Sequence, residues 1–376
     1  MKIGVPAESD PQETRVSASP ETAKKFIALG ADVLVAAGAG GKAGVPDADF
    51  AAAGAKIVGQ DEALAADIVL KVRRPDGAEV AKLAKGALVV SLMDPYGHQD
   101  ALDALARANV SAFAMELLPR ITRAQVMDVL SSQANLAGYR AVIDGAAEFG
   151  RALPMMMTPA GTVPAARIFI MGVGVAGLQA IATARRLGAV VTATDVRPAT
   201  KEQVESLGAK FVAVEDDEFK QAETAGGYAK EMSDAYKAKQ AALVAAHIAK
   251  QDIVITTALI PGRPAPKLVS ADMVRTMRAG SVLIDLAVER GGNVEGAQAG
   301  ETVTTANGAK IVGTSNVTRL AATASAVYAR NLYAFVETLI DKQAKAIAVK
   351  WDDELVKATL LTRDGAVVHP NFAAKG

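Results

Sequence analysis

Residues 167–177 read RIFIMGVGVAG and residues 190–195 read VVTATD, and these two stretches decide the fold. The apolar run Arg167–Met171 predicts a buried strand, and the glycine-rich run after it predicts a tight turn. A helical pattern over Leu178–Leu187 leads to a second predicted strand, Val190–Thr194, which an aspartate follows. A strand, a glycine turn, a helix and a second strand that ends on an acid form the βαβ unit that binds dinucleotides.

Each residue of this turn has a physical role in such a unit. Gly172 allows the tight turn, Gly174 lets a pyrophosphate approach the backbone, and Gly177 lets the helix pack closely against the strand. Because all parts occur in the required order, a purely structural turn is the weaker interpretation. Asp195 is placed to accept hydrogen bonds from the adenosine ribose and would repel a 2′-phosphate, although Arg197 could accommodate one. The sequence therefore favours NAD(H) over NADP(H).

Outward from this unit, short apolar runs alternate with helical patterns along most of the chain. Further predicted strands are Lys2–Val5, Asp32–Val35, Asp67–Val72, Ala87–Leu92, Ser111–Met115, Asp252–Thr256 and Ser281–Leu286, and Pro20–Leu29 and Gln99–Ala108 are predicted helices. This alternation is typical of α/β folds with parallel sheets.

Two long helical patterns, from about residue 132 to 151 and from about 318 to 340, bracket the second series of strands. At 376 residues the chain also exceeds the roughly 250–300 residues at which single cores stop growing. We therefore predict two Rossmann-like domains with parallel sheets, linked by long helices across a cleft. The first domain is discontinuous, 1–131 plus 319–376, and the NAD(H)-binding Rossmann domain is 132–318.

Two other stretches carry glycine pairs. Val214–Tyr236 is acidic at its start, contains Gly226-Gly227 and has little apolar periodicity, so it is predicted to be a mobile lid or connector. A second cluster, Gly38–Gly44, follows the predicted strand Asp32–Val35, but no clear helix starts there and no acid ends the next strand. A flexible loop is the better interpretation of that cluster.

The composition excludes several classes of function. Lysine plus arginine equals aspartate plus glutamate at 41 each, so no basic surface for nucleic acid is indicated. Cysteine is absent, which excludes disulfides, thiolate metal sites and a cysteine nucleophile, and we predict no metal site. Glycines interrupt Ile168–Ala184, the stretch closest to a membrane span, so no transmembrane segment is predicted.

Several stretches closely resemble the NAD(H)-binding component of proton-translocating transhydrogenases, a family related to alanine dehydrogenases. The resemblance covers almost the whole chain, and its matching stretches are PRITRAQVMDVLSSQ at 119–133, PMMMT at 154–158, AGTVP at 160–164, AETAGGYAKEM at 222–232, TTALIPG at 256–262 and DLAVE at 285–289. Pro159 departs from the small residue expected at its position.

The resemblance implies which residues hold the cofactor. Arg120, Gln125, Asp128 and Ser131 would contact its nicotinamide end and fix the face of the ring from which hydride leaves. The remaining cofactor contacts would come from Gly172, Gly174, Val175, Ala176, Gly177, Asp195, Val196, Arg197, Gly227, Tyr228, Thr257, Ala258 and Leu259. Tyr228 would fold over the bound nucleotide from the mobile loop, or it would anchor that loop to the surface.

Two alternatives stay open. Arg15 and Lys71 match positions that hold the substrate in alanine dehydrogenases, but Ser91 stands near the position of the catalytic histidine, and His98 is several residues away. Without that histidine, proton transfer to an amino acid lacks its usual agent. The second alternative is an NAD(H)-responsive binding protein without chemistry.

By resemblance, the chain is a peripheral subunit of a larger enzyme. It would pass hydride between NAD(H) and NADP(H) held by a partner subunit, coupled to proton translocation through a membrane-spanning subunit. The same resemblance implies a homodimer that is cytoplasmic and associated with the inner membrane through its partners.

Overall fold

The computed structural model describes residues 1–220, 232–260, 262–314 and 316–373. The chain divides into two compact units. Unit 1 consists of Met1–Gln133 and Thr318–Gly376, and unit 2 consists of Ala134–Val317.

Strands occur throughout both units. In chain order they are β1 Lys2–Val5, β2 Asp32–Ala36, β3 Lys56–Val58, β4 Ile68–Arg73, β5 Leu88–Leu92, β6 Ser111–Ala114, β7 Met156–Thr158, β8 Gly161–Val163, β9 Arg167–Met171, β10 Val190–Thr194, β11 Lys210–Phe211, β12 Ile253–Thr256, β13 Val282–Asp285, β14 Thr302–Thr304, β15 Lys310–Val312, β16 Ile340–Asp341, β17 Ala346–Ile347, β18 Leu360–Arg363 and β19 Ala366–Val367.

Helices alternate with most of these strands. They are α1 Pro20–Ala28, α2 Asp47–Ala52, α3 Gln60–Leu64, α4 Gly77–Val80, α5 Gln99–Arg107, α6 Val129–Phe149, α7 Val175–Arg186, α8 Thr200–Ser206, α9 Asp217–Lys220, α10 Asp234–Ile248, α11 Ala271–Thr276, α12 Ala321–Glu337 and α13 Glu354–Thr359. No helix in the described part of the chain is long and apolar enough to cross a membrane.

The sheet of unit 1 has the strand order β19-β18-β6-β5-β4-β1-β2-β3. Strands β1 to β6 run parallel, whereas β18 pairs antiparallel with β6 and with β19. The parallel strands wind away from β1 in one direction and from β4 in the other. In sheets of this kind, ligands bind beyond the carboxyl ends of the strands at the point where the winding reverses. That point in unit 1 lies between β1 and β4.

The sheet of unit 2 has the order β11-β10-β9-β12-β13-β15-β14. All of its strands run parallel except β14, which pairs antiparallel with β15. Numbered within the unit, the parallel strands repeat the winding of unit 1, and the reversal lies between β9 and β12. Both units therefore place a crevice at the same point of the same winding.

Apolar side chains pack on both faces of each sheet and form the cores. In unit 1, Phe26, Phe113 and Phe335 belong to one buried cluster, and a second cluster lies around Leu105. In unit 2, Ile170 and Ile255 belong to a different face from Phe169. Sheets covered on both faces explain why the strands read as continuous apolar runs.

The predicted α/β class with two Rossmann-like, mainly parallel sheets is confirmed. Several details differ from the sequence predictions, and the following bear on the sheet edges and on the candidate site. The antiparallel edges β14, β18 and β19 were not predicted, because short edge strands lack a long apolar run. Helix α7 begins at Val175 rather than Leu178, since Gly174 already has extended backbone angles. The predicted loop Val214–Tyr236 contains α9 and the start of α10, and residues 221–231 lie outside the described part of the chain.

Candidate nucleotide-binding site

The glycine turn between β9 and α7 is shaped by close backbone contacts. A Cβ at Gly177 would lie 1.9 Å from the carbonyl oxygen of Gly172, so no side chain fits there. Gly172 itself has a φ of 103°, and a Cβ on it would lie 2.5 Å from Oγ1 of Thr257. The Thr257 hydroxyl donates to the Gly172 carbonyl at 3.0 Å. The roles predicted for these two glycines agree with this geometry.

Gly174 differs from its two neighbours because a Cβ on it would meet no described atom within 4 Å. The residue is exposed, and so is Val175, the first residue of α7. No described side chain caps the N-terminus of α7. The first N–H groups of a helix have no partner within it and carry partial positive charge. The open position and the uncapped helix therefore fit a phosphate group that approaches the backbone.

Helix α6 supports the same turn from behind. A Cβ at Gly138 of α6 would lie 2.0 Å from the carbonyl oxygen of Ala176, so the two helices touch through their backbones. Sequence reasoning missed Gly138. A glycine inside a long helical pattern is the available signal, because it usually marks a close backbone approach.

Asp195 lies directly after β10 and faces the turn. Its Oδ2 accepts from the Val173 N–H at 2.7 Å, and the Arg197 guanidinium donates to both carboxylate oxygens at 2.9 and 3.0 Å. The aspartate side chain is 7% exposed and that of Arg197 32%. Arg197 therefore neutralises Asp195, and Val196, which is 62% exposed, lies between the two.

Ala258 and its neighbours form the opposite wall, at the carboxyl end of β12. The buried Asn293 accepts from the Ala258 N–H at 3.0 Å and donates to its carbonyl oxygen at 2.9 Å. Asn293 is in turn set by Asp285, whose Oδ2 accepts from the Val294 N–H at 2.9 Å. Leu259 follows with 55% of its surface exposed. The backbone at Ala258 is thus held rigidly while the next side chain stays accessible.

A pocket of about 640 Å³ opens beside these residues. Asp195, Val196 and Ala258 contribute to its wall, together with Met171, Gly172, Thr194, Met232, Tyr236, Lys237, Gln240, Ala241, Val244, Lys267, Leu268, Ser270, Met273 and Glu295. A volume of this size and a mostly apolar wall with few polar groups suit a small organic ligand.

Sequence reasoning missed the α10 face of this pocket. Tyr236, Gln240 and Val244 recur at a spacing of four and so lie on one face of α10. Gln240 accepts from the Val214 N–H at 2.9 Å, and Tyr236 donates to the Val214 carbonyl at 3.1 Å. Burial raises the pKa of Tyr236 to about 12, so its phenol stays protonated. The predicted loop Val214–Tyr236 included the first residue of this face, and no helix was predicted for the residues that follow it.

The four predicted nicotinamide-end residues of the stretch 120–131 differ in their contacts: two are bonded to each other and two are exposed. Asp128 and Ser131 are joined: the Ser131 N–H donates to Oδ1 of Asp128 at 2.9 Å, and its hydroxyl donates to Oδ2 at 2.6 Å. The aspartate thereby caps the first turn of α6. Arg120 and Gln125 are exposed, and neither side chain forms a hydrogen bond to another described residue. The structure brings together only the first of these pairs.

Arg15 and Lys71 are buried in the crevice of unit 1 and surrounded by glutamates. The Arg15 guanidinium donates to both oxygens of Glu13, at 2.8 and 2.7 Å. The Lys71 ammonium donates to Glu79 at 2.7 Å and lies 3.3 Å from Glu8. Burial raises the pKa of Glu8, whereas the bond to Arg15 helps to lower the pKa of Glu13. These cations already have carboxylate partners.

None of the three histidines forms a hydrogen bond to Arg15 or Lys71 among the contacts of the described residues. Ser91 is fully buried and its hydroxyl donates to the Leu92 carbonyl at 3.3 Å. His98 begins α5, and its Nδ1 lies 2.9 Å from the Asp94 carbonyl oxygen. His247 bonds to Thr192 in unit 2, and burial lowers its pKa. No group of side chains that could hold a metal ion occurs among the described residues.

Gly227 and Tyr228, the predicted lid residues, lie outside the described residues. The remaining predicted cofactor residues all lie around the crevice of unit 2. They are the residues of the glycine turn, Asp195 to Arg197, and Thr257 to Leu259.

Comparison with known proteins identifies two family models along the chain. Alanine dehydrogenase/PNT, N-terminal domain, matches residues 4–137, and alanine dehydrogenase/PNT, C-terminal domain, matches residues 141–370. The first part of NAD(P) transhydrogenase subunit alpha from Rhodospirillum rubrum is 54% identical over 384 residues, which cover 100% of both chains.

Solved structures agree with these matches. The crystal structure of transhydrogenase from Sinorhizobium meliloti has a TM-score of 0.90 and 59% identity, over 98% of this chain and 100% of that one. An L-alanine dehydrogenase has a TM-score of 0.82 and 27% identity, over 99% of this chain and 98% of that one. The resemblance inferred from the sequence stretches is confirmed, with alanine dehydrogenase as the more distant relative.

Proposed function

The chain belongs to the alanine dehydrogenase/PNT family, and from this premise we propose that it is the NAD(H)-binding component of an NAD(P) transhydrogenase. It binds NAD(H) in the crevice of unit 2 and exchanges hydride with NADP(H) that a partner subunit holds. The observation that carries the proposal is the open position at Gly174 in front of the uncapped N-terminus of α7.

The chain's residues bind the two ends of the cofactor differently. Backbone N–H groups of Val175 and Ala176 hold the pyrophosphate, and Asp195 accepts from the adenosine ribose. The adenine enters the 640 Å³ pocket against the Tyr236 face of α10. Val196, Arg197, Thr257, Ala258 and Leu259 complete this end, and the resemblance adds Gly227 and Tyr228 to the residues that contact the cofactor.

The 120–131 stretch orients the nicotinamide end. NAD(H), when bound, supplies or accepts the hydride. Gln125 offers a donor and an acceptor to the carboxamide, Arg120 binds phosphate or ribose oxygens, and the joined Asp128 and Ser131 fix the orientation of the carboxamide. Hydride transfer between two nicotinamides needs alignment at about 3–3.5 Å and no proton donor, so positioning is the main catalytic contribution.

The buried pairs in unit 1 argue against alanine dehydrogenase activity. A keto acid that enters this crevice has to compete with Glu13 for Arg15 and with Glu79 for Lys71. Ser91 at the position expected for a catalytic histidine supplies no imidazole. We therefore expect only background alanine formation from NADH, pyruvate and ammonium.

The finer assignments follow from the resemblance. We propose a homodimer on the cytoplasmic face of the inner membrane, bound to the NADP(H)-binding subunit and to a membrane-spanning subunit that moves protons. We further propose that 1–131 plus 319–376 and 132–318 are the functional domains. A sensor without chemistry is less well supported, because it needs no residues for the nicotinamide end.

The test is a hydride-exchange assay that uses NADH, a nicotinamide analogue of NADP⁺ and a purified NADP(H)-binding transhydrogenase subunit. The chain should catalyse exchange only when that subunit is present. Gln125→Asn and Asp128→Asn should lower the exchange rate at saturating nucleotide by about 10- to 100-fold and change NADH affinity by less than about threefold.

Gln99→Asn is the matched control, because Gln99 is an exposed glutamine of unit 1 outside the 120–131 stretch. It should leave both quantities unchanged. Robust alanine formation by the chain alone would transfer the assignment to alanine dehydrogenase. Large losses of NADH affinity in Gln125→Asn with an unchanged exchange rate would contradict the positioning role.

A further inference from the structure

Asn331 of α12 touches both sides of the segment that carries the proposed nicotinamide contacts. Its Nδ2 donates to the carbonyl oxygen of Val126 at 2.8 Å, and its Oδ1 accepts from the Ser132 hydroxyl at 2.7 Å. Val126 follows Gln125 directly, and Ser132 follows Ser131 directly. One side chain therefore joins the 3-10 turn Thr122–Met127 to the first turn of α6.

The burial of Asn331 gives this link its rigidity. Asn331 is 8% exposed, whereas Val126, whose carbonyl it holds, is 66% exposed. A buried amide that uses both its donor and its acceptor has little rotational freedom, and leaving either group unpaired costs about 1–3 kcal/mol. The turn is therefore fixed from the core side, where Ala124 and Met127 are also buried, while Gln125 and Val126 stay exposed.

A second link holds the same turn at its outer edge. The Arg123 guanidinium donates to both oxygens of Asp353 at 2.9 and 2.8 Å, and Asp353 caps α13 through the Leu355 N–H. The Arg123 side chain is 48% exposed, so this pair is solvated. Exposed ion pairs hold geometry weakly compared with a buried, fully bonded amide. Asn331 is accordingly the stronger of the two anchors.

We propose that Asn331, through Val126 and Ser132, is a positioning residue for hydride transfer. It sets the distance and angle between Gln125 and the Asp128–Ser131 pair, and so the orientation of the nicotinamide ring. This inference rests on the proposed function. Alignment errors of about 1 Å are sufficient to lower transfer rates about 100-fold, so a residue that touches no substrate has a large kinetic effect.

The closing experiment uses variants that change hydrogen bonding with little change in shape. Asn331→Leu removes both bonds, and Asn331→Asp removes the donor to Val126. Ser132→Val removes the hydroxyl, whereas Ser132→Thr retains it. Ser325→Ala is the structural control, because Ser325 is a buried α12 residue that accepts from the Val16 N–H at 3.0 Å, away from the 120–131 segment.

Two readouts are measured on the full chain. The first is hydride exchange with the NADP(H)-binding subunit at saturating nucleotides. The second is the nicotinamide fluorescence of NADH bound to the chain alone, which reports the ring environment without any hydride transfer. Asn331→Leu and Ser132→Val should lower the exchange rate about 10- to 30-fold and shift the bound fluorescence, with NADH affinity within about threefold of the parent chain.

Ser132→Thr, which retains the hydroxyl that Ser132→Val lacks, should exchange hydride at the parent rate. Ser325→Ala should leave both readouts unchanged even where it lowers the melting temperature. Equal effects of Ser325→Ala and Asn331→Leu on both readouts would overturn the proposal, as would parent-like fluorescence and exchange in Asn331→Leu. If the parent chain binds NADH but exchanges no hydride, the proposed function fails, and the fluorescence series still decides the role of Asn331.

Discussion

The two units form a crevice at the same point of the same sheet winding. In unit 1 charged side chains fill this crevice, whereas in unit 2 it is open. Both sheets reverse their winding between two adjacent parallel strands, β1 and β4 in unit 1 and β9 and β12 in unit 2. In unit 1 the carboxyl ends of these strands are covered by buried charges, among them Glu8, Lys71 and Glu79. In unit 2 the same place holds a glycine turn, an uncapped helix and a pocket of about 640 Å³.

The difference lies in what meets the backbone at the strand ends. In unit 1, Glu8 accepts from the backbone N–H groups of Val72 and Arg73, at 2.7 and 3.3 Å, so the chain's own carboxylate occupies the crevice. In unit 2, glycine leaves the corresponding backbone accessible. One winding therefore serves as a closed structural element or as a ligand site, according to the side chains placed at the reversal.

The largest effect is expected on the free energy of unfolding, when the buried charge cluster in the crevice of unit 1 loses its lysine. Lys71→Met leaves Glu8 and Glu79 without their cation in a fully buried position, and loss of one partner from such a cluster costs about 3–5 kcal/mol. Chemical denaturation should show this loss. The exposed pair of Lys56 and Asp32 provides the control, since Lys56→Met should leave the unfolding midpoint unchanged. Equal stability of Lys71→Met and the parent chain would contradict a structural role for this cluster.

The next largest effect is expected on NADH binding in the open crevice of unit 2, where Gly177 makes the closest backbone contact. Gly177→Ala places a Cβ 1.9 Å from a backbone oxygen that cannot move without opening the turn. We expect NADH affinity to fall about 100-fold by calorimetric titration. Gly41→Ala in the other glycine cluster is the matched control, because a Cβ there meets no described atom within 4 Å. Unchanged NADH binding in Gly177→Ala would place the nucleotide elsewhere.

Gly174→Ala tests whether the open position at Gly174 is needed for NADH binding rather than for the stability of the fold. The added Cβ meets no atom of the described residues within 4 Å, so the melting temperature should stay within about 2 °C of the parent value. The methyl group nevertheless occupies the room that the pyrophosphate needs, and NADH affinity should fall about 30-fold. Comparison with Gly41→Ala tests whether the open position is specific, and parent-like affinity would refute the phosphate role of Gly174.

The smallest effect concerns cofactor choice at Asp195. Asp195→Asn keeps an acceptor for the Val173 N–H and removes the negative charge that Arg197 balances. NADH affinity should fall about 10-fold while NADPH affinity does not fall, so the preference for NADH narrows. Asp252→Asn is the control, since Asp252 accepts from the Arg167 N–H at the other end of β9. Parallel losses for both nucleotides would remove Asp195 from cofactor selection.

The open crevice could be located from the sequence because its backbone geometry requires glycine at particular positions. Gly172 and Gly177 are required by a positive φ and by a 1.9 Å approach, and such requirements leave a readable spacing. The closed crevice left no comparable signal. Glu8, which follows β1, is far in sequence from Lys71 of β4, and the parallel pairing of β1 with β4 brings it within 3.3 Å of that lysine.

The nicotinamide-end residues illustrate the same limit. Arg120, Gln125, Asp128 and Ser131 were predicted from resemblance, because polar residues in a loop have an ordinary structural interpretation as well. The bond between Asp128 and Ser131 is local, and a capping pattern could have indicated it. The bond from Asn331 to Val126 spans 205 positions, and no spacing rule reaches that far.

The division of unit 1 by unit 2 also has a consequence for synthesis on the ribosome. Strand β18 joins the sheet edge at β6, where Leu360 lies opposite Phe113, and α12 adds Phe335 to the same core. Translation delivers Ala134–Val317 complete before either segment exists. The nascent chain therefore holds an unfinished sheet, with one edge uncovered, until α12 and β18 emerge. The sheet whose first strands are translated earliest is therefore the last to receive all of its strands.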